Sequence, residues 1–432
     1  MYPVVREPRI LIHQPEESIL MVKVRDFGEA ALVVNELAGD ILERCNGALS
    51  DADIASRLVS SGAIQAGDEK LVIEFLEKAF SKGLINDLDS PANTSVKVLG
   101  SRQYWTPSLI ILELTHRCNL FCRYCYREAG SPNCEGFADS DRAKRLIHEM
   151  AELGIGRIQL TGGEPTMHPH FADILSSCIE SGVFVNVITN GCDLPKDCEH
   201  ALENLDPRCG VVQVSIDGSR ETHDAIRGRK GSYDSASKLV SRLTRHGVAV
   251  DVAATVWGQS YEDLEHVCRL AKKLGARSFR ASPLFEAGRA AHGVDQVAQK
   301  YVLDFLNSMS SSYADDSFMV GSFSEDCLKE SHRANICGAG SRVLRVTPSF
   351  AVKPCPLLDC TIGEIAEDGL EELLKTKNKK YDSLVSPSPD ICDQCEKSVD
   401  CDGCFKRAML ISEKVAGCAW RAANLNNLEI LK

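Results

Sequence analysis

The chain has 432 residues, 44% of them hydrophobic and 25% charged, a globular balance that excludes disorder and fibrous structure and calls for two or three domains. With 49 Lys plus Arg against 61 Asp plus Glu, the net charge of −12 argues against a nucleic-acid backbone or an anionic membrane surface as partner.

In chain order, Arg9–Ile12 and Ile19–Val24 read as a strand pair, and three helical patterns follow. The first carries Val34, Leu37, Ile41, Leu42 and Cys45 on one face and stops at Asn46-Gly47, where a left-handed cap costs little. Ser50 with Asp53 three positions on predicts a helix start before Ile54 and Leu58. The third runs from Asp68 to Gly83, with Val72, Phe75, Ala79 and Phe80 as its apolar stripe. Together these predict a winged-helix-like α+β domain over residues 1–88. Such a module raises DNA binding as a role, but 10 basic against 16 acidic residues in the first hundred weigh against it. Residues 89–104, rich in Asp, Ser, Pro and Asn, read as a linker.

From there the pattern alternates. Apolar strands are expected at Leu109–Leu114, Arg157–Thr161, Phe184–Thr189, Val211–Ile216, Val248–Val256 and Ser278–Pro283, with helices such as Asp139–Leu153, Phe171–Ser181 and Leu264–Leu274 between them. Six strands with crossovers mean parallel βα units, compatible with an open doubly wound sheet or with a partial barrel. Either architecture places chemistry at the carboxyl ends of the strands. After about residue 325 the chain turns Cys-, Pro- and Gly-rich, with a hairpin-like stretch at Arg345–Lys353.

Cysteine is the compositional outlier, at 19 residues in a chain far too long to need disulfide staples. No apolar run reaches the roughly 20 residues that span a bilayer, and the opening MYPVVREPRILIHQPEES lacks a basic segment followed by an apolar core, so a cytoplasmic protein with reduced thiols is expected. Cys45, Cys134, Cys178, Cys192, Cys198, Cys209, Cys268 and Cys327 are scattered and read as small hydrophobes. The others form two clusters.

Directly after the first barrel strand, Cys118, Cys122 and Cys125 form a C-x3-C-x2-C triplet. Three such thiolates can hold three corners of an iron–sulfur cube and leave one iron open; with His116 as a fourth ligand they could instead close on zinc. At the end of the second strand lies Thr161-Gly162-Gly163-Glu164-Pro165, where paired glycines let backbone approach a ligand. Together the two motifs resemble the radical S-adenosylmethionine (radical SAM) superfamily over roughly residues 105–290. The resemblance implies a partial (β/α)6 barrel over 105–325, with one 4Fe–4S cluster on Cys118, Cys122 and Cys125 whose open iron takes the amino and carboxylate groups of S-adenosylmethionine. One electron then yields a 5′-deoxyadenosyl radical that abstracts hydrogen from substrate. It further implies cofactor contacts from Tyr124, Gly162, Gly163, Glu164, Pro165, Asn190, Ser215, Asp217 and Arg227, with Ser215 and Arg227 on the carboxylate. The residues alone leave open that Asn190 and Asp217 cap helices and that Arg227 is a solvated charge.

The second cluster comprises Cys337, Cys355, Cys360, Cys392, Cys395, Cys401, Cys404 and Cys418. Two zinc sites of four cysteines are one reading, but the five-residue gap between the CxxC pairs is shorter than the roughly 15–20 of a zinc ribbon. The layout resembles the SPASM extension of radical SAM enzymes, departing from it with two rather than three residues between Cys401 and Cys404. That resemblance implies a Cys-rich iron–sulfur domain over 326–432 with two auxiliary clusters, both of the 4Fe–4S type. Cys392, Cys395, Cys401 and Cys418 would hold one; Cys337, Cys355 and Cys404 would hold the other, with Cys360 as fourth ligand, Cys327 as substitute, or an open iron.

Asn35–Leu42 with Cys45-Asn46-Gly47 resembles the small peptide chaperone of pyrroloquinoline quinone biosynthesis, a fold that serves peptide-modifying enzymes as a leader-recognition element. The combined expectation is a radical SAM maturase that acts on a ribosomally made precursor peptide bound through its leader. It would draw electrons from a flavodoxin or ferredoxin and install a crosslink, preferably a sulfur-to-carbon thioether. Alternatives are peptide epimerisation, action on a cofactor precursor or tetrapyrrole, and a non-enzymatic zinc-binding regulator. No residue is assigned as general acid or base; Asp359 and Glu286 are near suitable segments but carry the ordinary reading of solvated loop acids.

Overall fold

Residues 2–24, 28–131, 136–285, 287–291, 299–321, 337–377, 379–401 and 403–431 are described by the computed structural model. They divide into two compact units, one of Met1–Thr106 with Glu152–Gly154 and one of Pro107–Ala151 with Ile155–Lys432. Cys134, Glu286, Cys327 and the expected boundary at 325/326 lie outside the described residues.

In the first unit β1 (Tyr2–Val5) pairs antiparallel with β5 (Ile85–Leu88). A second sheet runs in the order β4-β3-β2-β6, from β2 (Ile10–His13), β3 (Glu17–Val24), β4 (Gly28–Asn35) and β6 (Lys97–Gly100). The expected strand pair is β2–β3, antiparallel with Leu11 opposite Leu20. Helices α1 (Glu36–Arg44) and α2 (Asp51–Ser60) begin where capping chemistry places them, and α3 (Glu69–Ser81) follows without a side-chain cap. The Asn35 side chain accepts from the Ala38 amide at 2.8 Å, and Ser50 and Asp53 form the reciprocal capping box. Their apolar faces bury Leu11, Leu20, Ile41, Leu42, Ile54, Leu58, Val72 and Leu76 in one core.

Two expectations for this unit change. Phe80 is 51% exposed and Leu76 takes its place, because residues 72, 76 and 79 align on a 3.6-residue repeat that leaves 80 on the shoulder. The stretch 89–104, read as a linker, contains β6, which pairs parallel with β2, Val98 opposite Leu11. Arg102 then fastens it by donating to the Gln14 and Glu17 carbonyls at 3.1 Å each and pairing with Asp40 at 2.8 Å. A four-residue edge strand has no readable alternation, and its partner lies far upstream in sequence.

The second unit contains the six expected strands as β7 (Leu109–Glu113), β8 (Arg157–Thr161), β9 (Phe184–Thr189), β10 (Gly210–Ser215), β11 (Val250–Val256) and β12 (Ser278–Pro283). All are parallel neighbours in sequence order. That order decides between the two architectures left open. A doubly wound sheet reverses its order at a switch point; an unreversed run of right-handed crossovers puts every helix on one face and curls the other inward, as a partial barrel does. Between the strands lie α4 (Ser140–Glu152), α5 (Phe171–Glu180), α6 (Lys196–Glu203), α7 (Arg220–Arg227), α8 (Ser232–Arg245) and α9 (Tyr261–Lys273), followed by α10 (Gln299–Tyr313).

The sheet continues at both ends. β13 (Met319–Gly321) lies parallel on β12. On the other side β14 (Val343–Val346) lies parallel on β7, and β15 (Ala351–Lys353) and β16 (Gly363–Glu364) complete an antiparallel extension that includes the expected hairpin. Short helices from Pro389 to Ala423 then close a small core around Leu358, Tyr381, Phe405 and Trp420. Among the described residues no helix is long and apolar enough to cross a membrane.

Candidate functional site

The cysteine triplet occupies the loop at the carboxyl end of β7, and the Gly162-Gly163 turn after β8 supports its base. The Gly163 amide donates to the Thr115 carbonyl at 2.7 Å and the Glu164 amide to the Arg117 carbonyl at 2.9 Å. A Cβ on Gly162 would lie 2.2 Å from the Thr115 oxygen, and one on Gly163 would lie 2.1 Å from the Arg117 oxygen. The chain's own backbone, pressed against both residues, therefore already requires glycine here.

Cys118, Cys122 and Cys125 gather with Leu120 in one buried cluster. Burial pushes the Cys118 thiol up to about 12, and Glu164, Cys122 and Cys125 push in the same direction. Cys122 is likewise raised by burial, against the opposing pull of Arg227. Three sulfurs so close, two of which resist ionisation unaided, are the donor set that an iron–sulfur cluster satisfies, since bound metal takes thiols as thiolates and compensates their charge. His116 is tied to the end of β7, its Nε2 lying 2.9 Å from Glu113 Oε2. Cys192, read from sequence as a packing thiol, belongs to the same cluster, with its sulfur 3.8 Å from the Asn190 and Ser232 carbonyl oxygens.

Around this loop the structure assembles the other expected site residues. Glu164 is wholly buried: Oε1 accepts from Thr166 Oγ1 at 2.7 Å and Thr189 Oγ1 at 2.8 Å, and Oε2 accepts from the Asn190 amide at 2.8 Å. Burial raises its pKa despite these donors. The carboxylate thus ties the end of β8 to the end of β9, and Pro165 opens the 3-10 turn that Glu164 caps. Asn190 donates Nδ2 to Asn119 Oδ1 at 2.8 Å and to Cys118 Sγ at 3.8 Å, while its Oδ1 accepts from the Cys192 amide at 2.8 Å. Ser215, at the end of β10, is half-buried, and its hydroxyl has no hydrogen-bond partner among the described residues.

Asp217 and Arg227 form a buried ion pair, Nε to Oδ2 at 2.7 Å. Arg227 also donates Nη1 to Cys122 Sγ at 3.8 Å. Asp217 further accepts from Tyr124 Oη at 2.8 Å and from the Thr255 amide at 3.0 Å, and its own amide donates to His223 Nδ1 at 3.1 Å. This excludes helix capping for Asp217 and a solvated role for Arg227. Sequence reading gave no role to His223 or Thr255; a histidine four residues before the arginine on α7 was the available signal for the first.

Glu113, the last residue of β7, anchors a second buried network with His116, Arg127 and Arg345 of β14. Burial alone would raise its pKa, but the His116 hydrogen bond and the two guanidinium groups hold it below the usual value. Asp359 is 87% exposed and lies 3.7 Å from Arg345, in keeping with a solvated loop acid.

The C-terminal thiols sort into two groups. Burial pushes Cys401 up to about 12, with Cys392, Cys395 and Cys418 adding to it. It likewise raises Cys337, with Cys404 and Cys355 beside it adding further. Cys360 packs against the same small core: burial raises it, its sulfur takes the Tyr381 hydroxyl at 4.0 Å, and the neighbouring charges are Lys353 and Asp359.

Residues 112–272 match the family model described as the radical SAM superfamily. The antilisterial bacteriocin subtilosin biosynthesis protein AlbA of Bacillus subtilis is 26% identical over 429 residues, covering 95% of this chain and 93% of its own. The sporulation killing factor maturation protein SkfB of the same organism is 29% identical over 310 residues, 71% of this chain and 72% of its own. Among solved structures, SuiB of Streptococcus suis bound to S-adenosylmethionine superposes with a TM-score of 0.65 at 13% identity, covering 94% of this chain and 96% of that one, a likeness of fold. With a parallel half-barrel and a three-cysteine loop at the end of its first strand, the chain carries a region, residues 112–272, that matches the radical SAM superfamily.

Proposed function

We propose that this enzyme is a peptide maturase that removes hydrogen from a ribosomally made precursor peptide and installs a crosslink, preferably a sulfur-to-carbon thioether. The match to a bacteriocin biosynthesis protein along nearly the whole of both chains carries the reading, because it includes the N-terminal unit as well as the barrel. When bound, the cluster and S-adenosylmethionine supply one-electron chemistry that generates a hydrogen-abstracting radical. Cys118, Cys122 and Cys125 hold that cluster. Ser215 and Arg227 would hold the cofactor carboxylate, and the strand ends at Gly162–Pro165 and Asn190 would line its amino group.

Cys392, Cys395, Cys401 and Cys418 would hold one auxiliary cluster and Cys337, Cys355 and Cys404 another, and these would supply an acceptor for the electron released on oxidation of the product radical. Cys360 is the candidate fourth ligand of the second set, with an open iron as the alternative. The N-terminal unit, residues 1–106, grips the leader by adding it as a strand to an edge of the β4-β3-β2-β6 sheet, a mode that such sheets support. A cytoplasmic location and a flavodoxin- or ferredoxin-class electron donor complete the reading.

The test is the intact mass of a short peptide encoded beside this gene, after anaerobic incubation with enzyme, reductant and S-adenosylmethionine. Loss of two hydrogens from the full precursor, but not from the same peptide without its leader, is expected. An unchanged mass despite formation of 5′-deoxyadenosine would overturn the crosslinking assignment in favour of epimerisation or another substrate class, such as a tetrapyrrole.

A further inference from the structure

Two of the three thiols in the β7 loop each receive one side-chain N–H, and each donor is itself held in place. At Cys118 it is the neutral Nδ2 of Asn190, fixed by Asn119 Oδ1 and the Cys192 amide. At Cys122 it is Nη1 of Arg227, fixed through Nε by Asp217. Cys125 receives none among the described residues.

The Arg227 donor is also a charge. Its guanidinium is ionised at any working pH and only 7% exposed, so water does little to screen it from the sulfur. Asp217 lies behind it and is wholly buried, but its negative charge is drawn toward Tyr124 Oη and the Thr255 amide as well as toward Arg227. The pair is therefore an oriented dipole whose positive end touches Cys122. Reduction of an iron–sulfur cluster adds one negative charge in this space, and N–H donors and positive charge near the sulfurs favour that state.

We propose that Arg227 and Asn190 set the reduction potential of the cluster held by Cys118, Cys122 and Cys125, through N–H contacts to Cys122 and Cys118, with Asp217 as the residue that positions Arg227. The inference rests on the cluster assignment above and adds a function to side chains otherwise read only as cofactor contacts. Their effects are graded. The charged donor on Cys122 outweighs the neutral one on Cys118. Asp217 acts with the opposite sign, since Asp217→Asn keeps an oxygen for Arg227 Nε while removing a buried negative charge.

The experiment is the midpoint potential of the reconstituted full-length enzyme, followed by electron paramagnetic resonance on the signal that changes when S-adenosylmethionine is added. Iron content and that response test the cluster assignment independently of the potential. Arg227→Gln should lower the reduction equilibrium at least tenfold, about 59 mV for one electron. Asn190→Ala should lower it by less, and Asp217→Asn should raise it. Arg227→Lys keeps the charge on Asp217 but withdraws the N–H from Cys122, and should fall between wild type and Arg227→Gln; it decides the question if the Gln variant does not assemble. A wild-type potential in iron-replete Arg227→Lys and Arg227→Gln, or shifts of the same sign on changing Asp217 and Arg227, would overturn the proposal.

Discussion

Arg227 Nε lies 2.7 Å from Asp217 Oδ2, with the carboxylate wholly out of water and the guanidinium nearly so. A pair buried this deeply is costly to break one-sidedly, because the survivor keeps its desolvation penalty without its partner. Arg227→Ala should therefore lower the unfolding free energy of the metal-free protein by about 3–5 kcal/mol, and Arg227→Lys by less. Denaturant unfolding of the two variants beside the wild type measures both.

The Gly163 position should tolerate no side chain. A Cβ there would stand 2.1 Å from the Arg117 carbonyl oxygen, which is backbone and cannot swing aside. Gly163→Ala is expected to displace the loop carrying Cys118 and to lose most of the iron of the first cluster while the auxiliary iron stays. Iron analysis together with the S-adenosylmethionine-responsive signal separates the two.

Glu113 gives a pH dependence with a definite sign. Its folded-state pKa lies below the ordinary 4.5, so it contributes stability that is present above that value and is lost as the pH falls through the lower one. Glu113→Gln should flatten the acid limb of the stability profile and lower stability near neutrality, where the carboxylate matches Arg127 and Arg345. Thermal midpoints across an acid series would show a parallel limb if the network contributed nothing.

The grouping of the C-terminal thiols predicts selective losses. Cys401→Ala and Cys404→Ala should each remove about four irons, one auxiliary cube, and leave reductive cleavage of S-adenosylmethionine in place. Cys360→Ala should lose iron as Cys404→Ala does if Cys360 is the fourth ligand of that set. Full iron in Cys360→Ala would leave that set with three thiolates and an open iron.

What the sequence determined on its own was whatever is encoded locally. The six barrel strands, the capped helices of the first unit and the Cys118–Cys122–Cys125 loop each follow from periodicity or spacing within a few residues. The later cysteine cluster was conspicuous for the same reason, in that cysteine is rare enough for its spacing to carry information, while its division into two sets came only with the resemblance to the SPASM extension. Tertiary structure alone decided the rest. Strand β6 was hidden in a supposed linker because its pairing with β2 spans most of the unit. The barrel prevailed over the doubly wound sheet through strand order, a property of the whole sheet. Asp217, Arg227, Tyr124 and Cys122 converge from the cysteine loop, β10 and α7, and no local pattern records which acid a buried arginine will meet. Folding places these groups together out of water, and desolvation there turns ordinary polar side chains into a charge arrangement aimed at one sulfur.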